Sequence, residues 1–413
     1  LSTPPALFFH LGVRIHRRKK LSGDTSGPER RFAPCLLRVT KEDTMKQMYQ
    51  MIDTPSLIID LDRAMENIQM MQQRANELGV DLRPHIKTHR MTYFAKKQME
   101  AGAAGIACAK IGEAEVMAAA GIKDIFIANE IMGESKYERV RQLHQKIHIR
   151  VGVDNIYQID QIEKVFAQEE KPLEVLMEYE VGENRSGIIT DEQLDTLVEY
   201  ILTKKHVVLK GIFSHEGHTY KASNRDDCVK KAEEAYRRTL RAADRMRQLG
   251  ADIDTVSIGA TPSIMNGSFL EGITELRLGT YVFFDLGQAS AIGDFSHCAA
   301  TVLTTIISKP TEERVVLDAG AKALISQNRD SGICATAGFG YVKDSNNVRI
   351  AGLFDEHGLI YDSEFSKTVQ VGDKIEVIPS HVCPTVNLYD EAVLVSNGAV
   401  VGTIPVDCRG KSK

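Results

Sequence analysis

From Thr54 onward the apolar positions alternate between two periods. Ser56-Leu-Ile-Ile59 is a short apolar run. In the segment after it, Met65, Ile68, Met71, Ala75 and Leu78 fall at helical spacing. Asp60 or Asp62 is placed to cap that helix, because a short acceptor side chain satisfies the free N–H groups of a first turn, and Gly79 is placed to end it. Strand-like apolar runs then recur at residues 82–86, 105–109, 125–128, 148–153, 173–179, 207–214, 255–258 and 274–284. Between them lie amphipathic stretches at 112–120, 136–145, 157–168, 192–203 and 225–250. Eight strands alternating with helices predict an α/β fold, a (β/α)8 barrel of the TIM type. A doubly wound open sheet also alternates, but the count favours closure.

After about Ser296 the period changes. Residues 301–307, 314–317, 348–354, 374–378, 392–395 and 400–404 are short, rich in Val and Ile, and separated by turns such as Asp344-Ser-Asn-Asn347 and Asn397-Gly398. The expected organisation is a barrel over residues 45–295 and a smaller C-terminal β domain over 296–413.

Charge changes the picture only at the start of the chain. Residues 1–44 hold nine Lys/Arg against four Asp/Glu, with no sustained apolar periodicity, whereas the chain as a whole is net −5. Lys41-Glu-Asp-Thr-Met45 can be encoded by a purine-rich ribosome-binding tract shortly before a bacterial start codon. The expectation is therefore that residues 1–44 are untranslated leader and the protein begins at Met45. N-terminal sequencing of protein made from the natural gene tests this.

The composition, 43% hydrophobic and 26% charged, is that of a soluble globular chain. No apolar run reaches membrane-spanning length, and the acidic balance gives no reason to expect a nucleic-acid partner. Seven cysteines without paired spacing read as reduced thiols in a cytoplasmic protein.

The most informative stretch is Arg83-Pro-His-Ile-Lys-Thr-His-Arg90. A lysine at a strand end, crowded by Arg83, His85, His89 and Arg90, has its pKa lowered, and neutral amine forms a Schiff base with a carbonyl cofactor. A basic surface turn is the competing reading. Four further segments fall at strand ends, where a barrel places its chemistry: Glu178 to Gly187, Ser214-His-Glu-Gly-His-Thr-Tyr220, Gly259-Ala-Thr-Pro-Ser263 and Arg277-Leu-Gly-Thr-Tyr281.

Together with Thr54-Pro-Ser-Leu-Ile-Ile-Asp-Leu-Asp62, Gly112-Glu-Ala-Glu-Val116 and His381-Val-Cys-Pro-Thr-Val-Asn-Leu388, these segments resemble the fold-type III pyridoxal-phosphate enzymes. Within those alanine-racemase-like barrels the likeness is to the D-threonine aldolase and D-serine dehydratase group, and it runs from about Thr54 to Gly410. It implies Lys87 as the Schiff-base lysine of pyridoxal 5'-phosphate, with Gly279, Thr280 and Thr261 at the phosphate. Arg185 would lie against the pyridine nitrogen, which it keeps largely unprotonated because an arginine does not give up its proton. His215 and Tyr220 would line the ring. For Arg185 a surface ion pair with Glu183 or Glu180 is the alternative, and for His215 a structural role.

The resemblance also implies a divalent metal at His381 and Cys383. Residues i and i+2 of a strand face one side, and two protein ligands leave positions open for water and substrate. The thiolate favours zinc, with manganese the alternative. The aldolases of the group usually carry His-x-Asp with a harder ion, and the dehydratases His-x-Cys with zinc. Here the ligand pair looks like the dehydratases, while Pro384-Thr-Val-Asn-Leu-Tyr-Asp390 looks like the aldolases.

The implied activity is retro-aldol cleavage of a D-β-hydroxy amino acid to glycine and an aldehyde, with His85 or His89 as base or as orienting groups for Lys87. A dehydratase giving a 2-oxo acid and ammonia uses the same parts. A racemase has no use for a metal pair, and the cofactor-carrier proteins of this barrel type are short and lack a β domain. A homodimer is implied by the resemblance alone.

Overall fold

Asp60 caps the first long helix, Leu61–Leu78, by accepting a hydrogen bond from the Arg63 backbone N–H at 3.0 Å, and Gly79 ends it with φ 69°. Ile68, Met71 and Ala75 on its apolar stripe are fully buried. The computed structural model describes residues 49–413, so the leader expectation and Cys35 lie outside the described residues.

The strand before that helix is β1 (Ser56–Asp60). The next eight are β2 (Asp81–Leu82), β3 (Ile106–Cys108), β4 (Asp124–Glu130), β5 (His148–Val153), β6 (Leu173–Glu178), β7 (Val207–Phe213), β8 (Thr255–Ile258) and β9 (Glu275–Leu276). These eight form one parallel sheet in chain order, with β9 returning beside β2, and a bridge from His85 to Ala107 joins the two ends. Each overlaps a run predicted from the apolar pattern. The runs are nearly continuous because helices cover the outer face of a barrel whose inner face is also buried.

The second sheet contains β10 (Ala300–Ser308), β11 (Arg314–Leu317), β12 (Gly340–Val342), β13 (Gly352–Leu353), β14 (Gly358–Tyr361), β15 (Lys374–Pro379), β16 (Glu391–Ser396) and β17 (Ala399–Pro405). β1 sits in its middle, antiparallel to β10 and parallel to β16. The range 45–295 expected for the barrel thus includes a strand paired in the other sheet. Its apolar run gives no hint of partner, since Leu57, Ile58 and Ile59 bury equally well in either. Among the described residues no helix is long and apolar enough to cross a membrane.

At the strand N-termini Arg83 is buried and bound by Glu275 at 2.6 Å and Asp124 at 2.5 Å, with Arg150 3.6 Å from Glu275. Arg83→Ala should leave Glu275 buried with the Ser257 hydroxyl at 2.8 Å and one more distant cation, Arg150, costing about 3 kcal/mol, read as a lower urea midpoint at unchanged slope. On the same rim His148 lies 2.9 Å from Asp124 and 2.8 Å from Glu174, and hydrogen bonds to both raise its pKa to about 9. Because the folded value lies above the ordinary 6.5, its contribution is complete below about pH 6.5 and fades as pH rises through 9. In a series of melting temperatures against pH, His148→Ala should flatten the alkaline side, and it should weaken the acid side as well, because Asp124 and Glu174 owe part of their lowered pKa to the same hydrogen bonds.

Candidate active site

At the C-terminal ends of the barrel strands lies a cavity of about 370 Å3. Lys87 enters it from the turn at residues 86–89, just after the His85 bridge. Burial lowers the lysine's pKa, and the charges of Arg185 and Arg277 lower it further against the opposing pull of Cys383 and Glu183. The direction is the expected one, but the cations differ from those predicted. Arg83 serves the opposite end of the barrel. Arg90 turns away, with φ 55°, to Glu113 at 3.1 Å and Asn387 at 2.9 Å. Of the neighbours named in the sequence, His85 alone shares the cavity.

His85 is held neutral, far below the usual imidazole range, first by burial and then by Lys87 and Arg277. Its Nδ1 accepts the Lys87 backbone N–H at 3.4 Å, which leaves the ring proton on Nε2. His89 stands outside the cavity. It is fully buried, its Nδ1 accepts from Met91 N–H at 3.1 Å, its Nε2 lies 3.2 Å from Gln98 Oε1, and burial lowers it to about 4. Sequence spacing put both histidines beside Lys87, and the turn sends them to opposite sides.

Arg185 and His215 line the cavity with Tyr220. Arg185 pairs with Glu178 at 3.2 Å and Glu183 at 3.4 Å while half its side chain stays open. Its carboxylate partners are thus Glu178 and Glu183, and Glu180 instead accepts the backbone N–H groups of Gly182 and Asn184. Glu183 also lies 3.5 Å from His215 Nδ1. Glu130 reaches Glu178 from β4 and is pushed well above the carboxylate range, first by burial and then by the hydrogen bond and charge of Glu178. The pair therefore shares one negative charge, which faces Arg185. Arg277 opens one of the strand-end segments named from sequence but has no role assigned there, and Glu130 is not named at all. The apolar run at 125–128 that corresponds to β4 stops two positions short of Glu130, although strand ends are where a barrel keeps its chemistry. Arg277 is buried at the end of β9, donating to Ser257 Oγ at 3.0 Å and the Ser214 carbonyl at 2.9 Å.

Gly279, Thr280 and Thr261 meet on one wall, with Gly259 and Ala260 beside them. A Cβ at Gly279 would come 2.9 Å from Thr88 Oγ1 and 3.1 Å from the His85 carbonyl oxygen, so only glycine fits against the lysine turn. The result is a small, hydroxyl-bearing wall with room for an anion. A buried lysine of lowered pKa, a cation facing it and this wall together fit pyridoxal phosphate.

His381 and Cys383 are brought together, but not on a strand. β15 ends at Pro379, His381 precedes the short helix Val382–Val386, and Cys383 is in its first turn. Val382 and Val386 anchor that helix in the barrel core, each side chain worth about 2 kcal/mol of burial, and Val382 N–H donates to Asp285 Oδ2 at 3.0 Å. Cys383 Sγ lies 3.3 Å from Thr88 Oγ1 and 3.9 Å from Thr280 Oγ1, against the back of the cavity wall. Burial raises its pKa, but His381 and the Thr88 hydrogen bond bring it down to about 7. His381 and Cys383 act on each other's pKa, which places the two side chains close enough to hold one thiophilic ion. Among the described residues no cluster of three or more His, Cys, Asp or Glu is placed to hold a metal.

A parallel barrel with a lysine of lowered pKa at its mouth, followed by a C-terminal β domain, is the alanine-racemase-like architecture of the fold-type III enzymes. Residues 59–286 match the alanine racemase N-terminal domain and residues 299–395 a putative serine dehydratase domain, and the chain belongs to this family. It is 32% identical over 366 residues to a D-threonine aldolase of Arthrobacter sp, covering 88% of this chain and 94% of that one. The solved D-threonine aldolase from Filomicrobium marinum superimposes with TM-score 0.79 at 30% identity, over 87% of this chain and 96% of its own. The D-threo-3-hydroxyaspartate dehydratase from Delftia sp. HT23 gives 0.81 at 28% identity, over 87% and 98%. A cysteine-to-alanine mutant of a D-threo-3-hydroxyaspartate dehydratase, solved in the metal-free form, superimposes with TM-score 0.80.

Proposed function

We propose that this chain is a pyridoxal-phosphate-dependent lyase that cleaves D-β-hydroxy amino acids of the D-threonine type to glycine and an aldehyde. The observation that carries this reading is the placement of Lys87, with its lowered pKa, in a cavity between Arg185 and the Gly279–Thr280 wall. The relatives' activities support the substrate class. When bound, the cofactor supplies an electron sink for charge developing at the α-carbon. Lys87 Nζ would hold it, Gly279, Thr280 and Thr261 would hold its phosphate, Arg185 would face its ring nitrogen, and His215 and Tyr220 would bound the ring. A divalent ion on His381 and Cys383 would act as a Lewis acid toward the substrate's β-hydroxyl, zinc being favoured by the thiolate.

The remaining work falls to the chain's own groups. Lys87, whose charged form burial disfavours, is the base that the turn offers, and it takes or returns a proton at Nζ. His85 orients the Lys87 turn by accepting the Lys87 backbone N–H at Nδ1, which leaves Nε2–H as a donor, and His89 braces that turn from the core through Gln98. The Glu130–Glu178 pair, with Glu183, holds Arg185 toward the cavity.

A second reading, a dehydratase yielding a 2-oxo acid and ammonia, is favoured by one observation, the cysteine at position 383. The test is an assay of the full chain with pyridoxal phosphate and D-threonine, with zinc or manganese. Glycine and acetaldehyde are expected. A 2-oxo acid with ammonia would establish the second reading, and no product from any D-β-hydroxy amino acid would sink both in favour of a carrier role. Sedimentation of the same preparation tests the homodimer proposed from the resemblance, and cell fractionation tests the cytoplasmic location proposed from the unpaired cysteines.

A further inference from the structure

Arg90 closes the turn that carries Lys87, and none of the roles above uses its side chain. Its backbone N–H donates to the Ile86 carbonyl at 2.8 Å, and its φ of 55° is a left-handed conformation that glycine adopts more easily than arginine. The turn by itself would be better served by glycine. The guanidinium gives the reason for an arginine. Nη2 lies 3.1 Å from the buried carboxylate of Glu113, while Nη1 donates to Asn387 Oδ1 at 2.9 Å and to the Cys408 carbonyl at 3.2 Å. Partners 297 and 318 residues away in sequence thus converge on one side chain.

Asn387 ends the helix Val382–Val386, whose first turn holds Cys383. The start of that helix meets the same lysine turn, because Cys383 Sγ lies 3.3 Å from Thr88 Oγ1. Two residues of one turn, Thr88 and Arg90, therefore hold the two ends of one helix. The chain after β17 locks this arrangement. Cys408 N–H donates to the Arg90 carbonyl at 2.9 Å, and Gly410 N–H donates to Asn387 Oδ1 at 3.3 Å. Asp407 Oδ2 accepts the backbone N–H and the hydroxyl of Thr92 at 2.7 and 2.9 Å. It caps the helix Thr92–Ala101 that follows the lysine turn, whose N-cap residue, Met91, has no side chain able to do so.

We propose that Arg90 is a positioning residue, which ties the Lys87 turn to the helix of the His381/Cys383 pair so that the amine and the metal pair keep one register. The tie stands on geometry alone, and its consequence for turnover rests on the lyase reading of the site. The alternative is that Arg90 only neutralises Glu113.

Three variants test this. Arg90→Gly relaxes the backbone and removes the guanidinium, while Glu113 keeps the backbone N–H groups of Ala109 and Lys110 at 2.7 and 3.1 Å. Asn387→Ala removes only the acceptor on the helix and leaves Glu113 its cation, and Asn387→Asp keeps the acceptor. The first readout is amide hydrogen exchange of the full chain in peptides covering residues 84–91 and 380–389. Exchange in both is expected to rise about tenfold in Arg90→Gly and in Asn387→Ala and to return to the wild-type rate in Asn387→Asp. A rise confined to one peptide, or none in Asn387→Ala, overturns the proposal. The second readout is turnover by the holoenzyme. Cleavage of D-threonine needs the amine and the ion together, whereas exchange of glycine's α-hydrogen in heavy water needs the amine and the cofactor, with no β-hydroxyl to bind. The ratio of the two rates should fall about tenfold or more in Asn387→Ala with little change in KM for D-threonine. Equal losses in both rates, or a ratio that does not move, overturn the proposal. If the wild type acts on neither substrate, the lyase reading fails separately, and exchange in the two peptides still decides the tie. Asn387→Ala covers the case in which Arg90→Gly does not fold.

Discussion

Replacing Lys87 with alanine should abolish turnover by at least about 10³-fold while leaving the protein folded. The side chain is a buried amine whose charged form the site disfavours, so its removal leaves no carboxylate stranded and should leave the melting temperature level or slightly raised. Two readouts separate this from a general loss of structure. Borohydride treatment of the wild-type holoenzyme should fix the cofactor to the peptide containing Lys87, and the variant should carry no such adduct. Attachment at another lysine, or activity within tenfold of wild type, would remove Lys87 from the proposed role. Lys87→Arg should be equally inactive, because a guanidinium remains protonated in this pocket.

The second large effect concerns Cys383. Cys383→Ala should lose about 10²- to 10³-fold in activity and most of its affinity for zinc, since it removes one of two adjacent donors and the only one that is soft. Cys383→Asp should behave differently, regaining activity with manganese rather than zinc, because a carboxylate suits the harder ion. The measurement is activity after chelation and add-back of each ion. Activity in Cys383→Ala that responds to metal as wild type does would show that the ion, if any, sits elsewhere. Neither substitution should alter the Lys87 adduct, since Cys383 meets the lysine turn through Thr88 and Thr280.

Much of the barrel was legible because its signal is local. An apolar run buried on both faces looks the same whatever its neighbours, and the cap at Asp60 and stop at Gly79 act within one helical turn. The same locality explains the errors. β1 reads as a strand, but only pairing with β10 and β16, more than 240 residues later in sequence, assigns it to the second sheet. The i and i+2 spacing of His381 and Cys383 reads as one face of a strand, but burial of Val382 and Val386 in the barrel core makes the segment a short helix.

The candidate site divides in the same way. By itself the sequence determined the residue types and their places at strand ends: Lys87, Arg185, His215, Tyr220, Thr261, Gly279 and Thr280 all face one cavity. Tertiary structure decided which charges act on which groups. It took Arg83 to the far end of the barrel, sent His89 into the core, and set Arg277 and Glu130 in the site from strands distant in sequence. The reason is physical. Strand and helix formation depends on neighbours a few residues away, whereas a pKa depends on burial and on charges within several ångströms, which only the closed barrel and its docked β domain bring together.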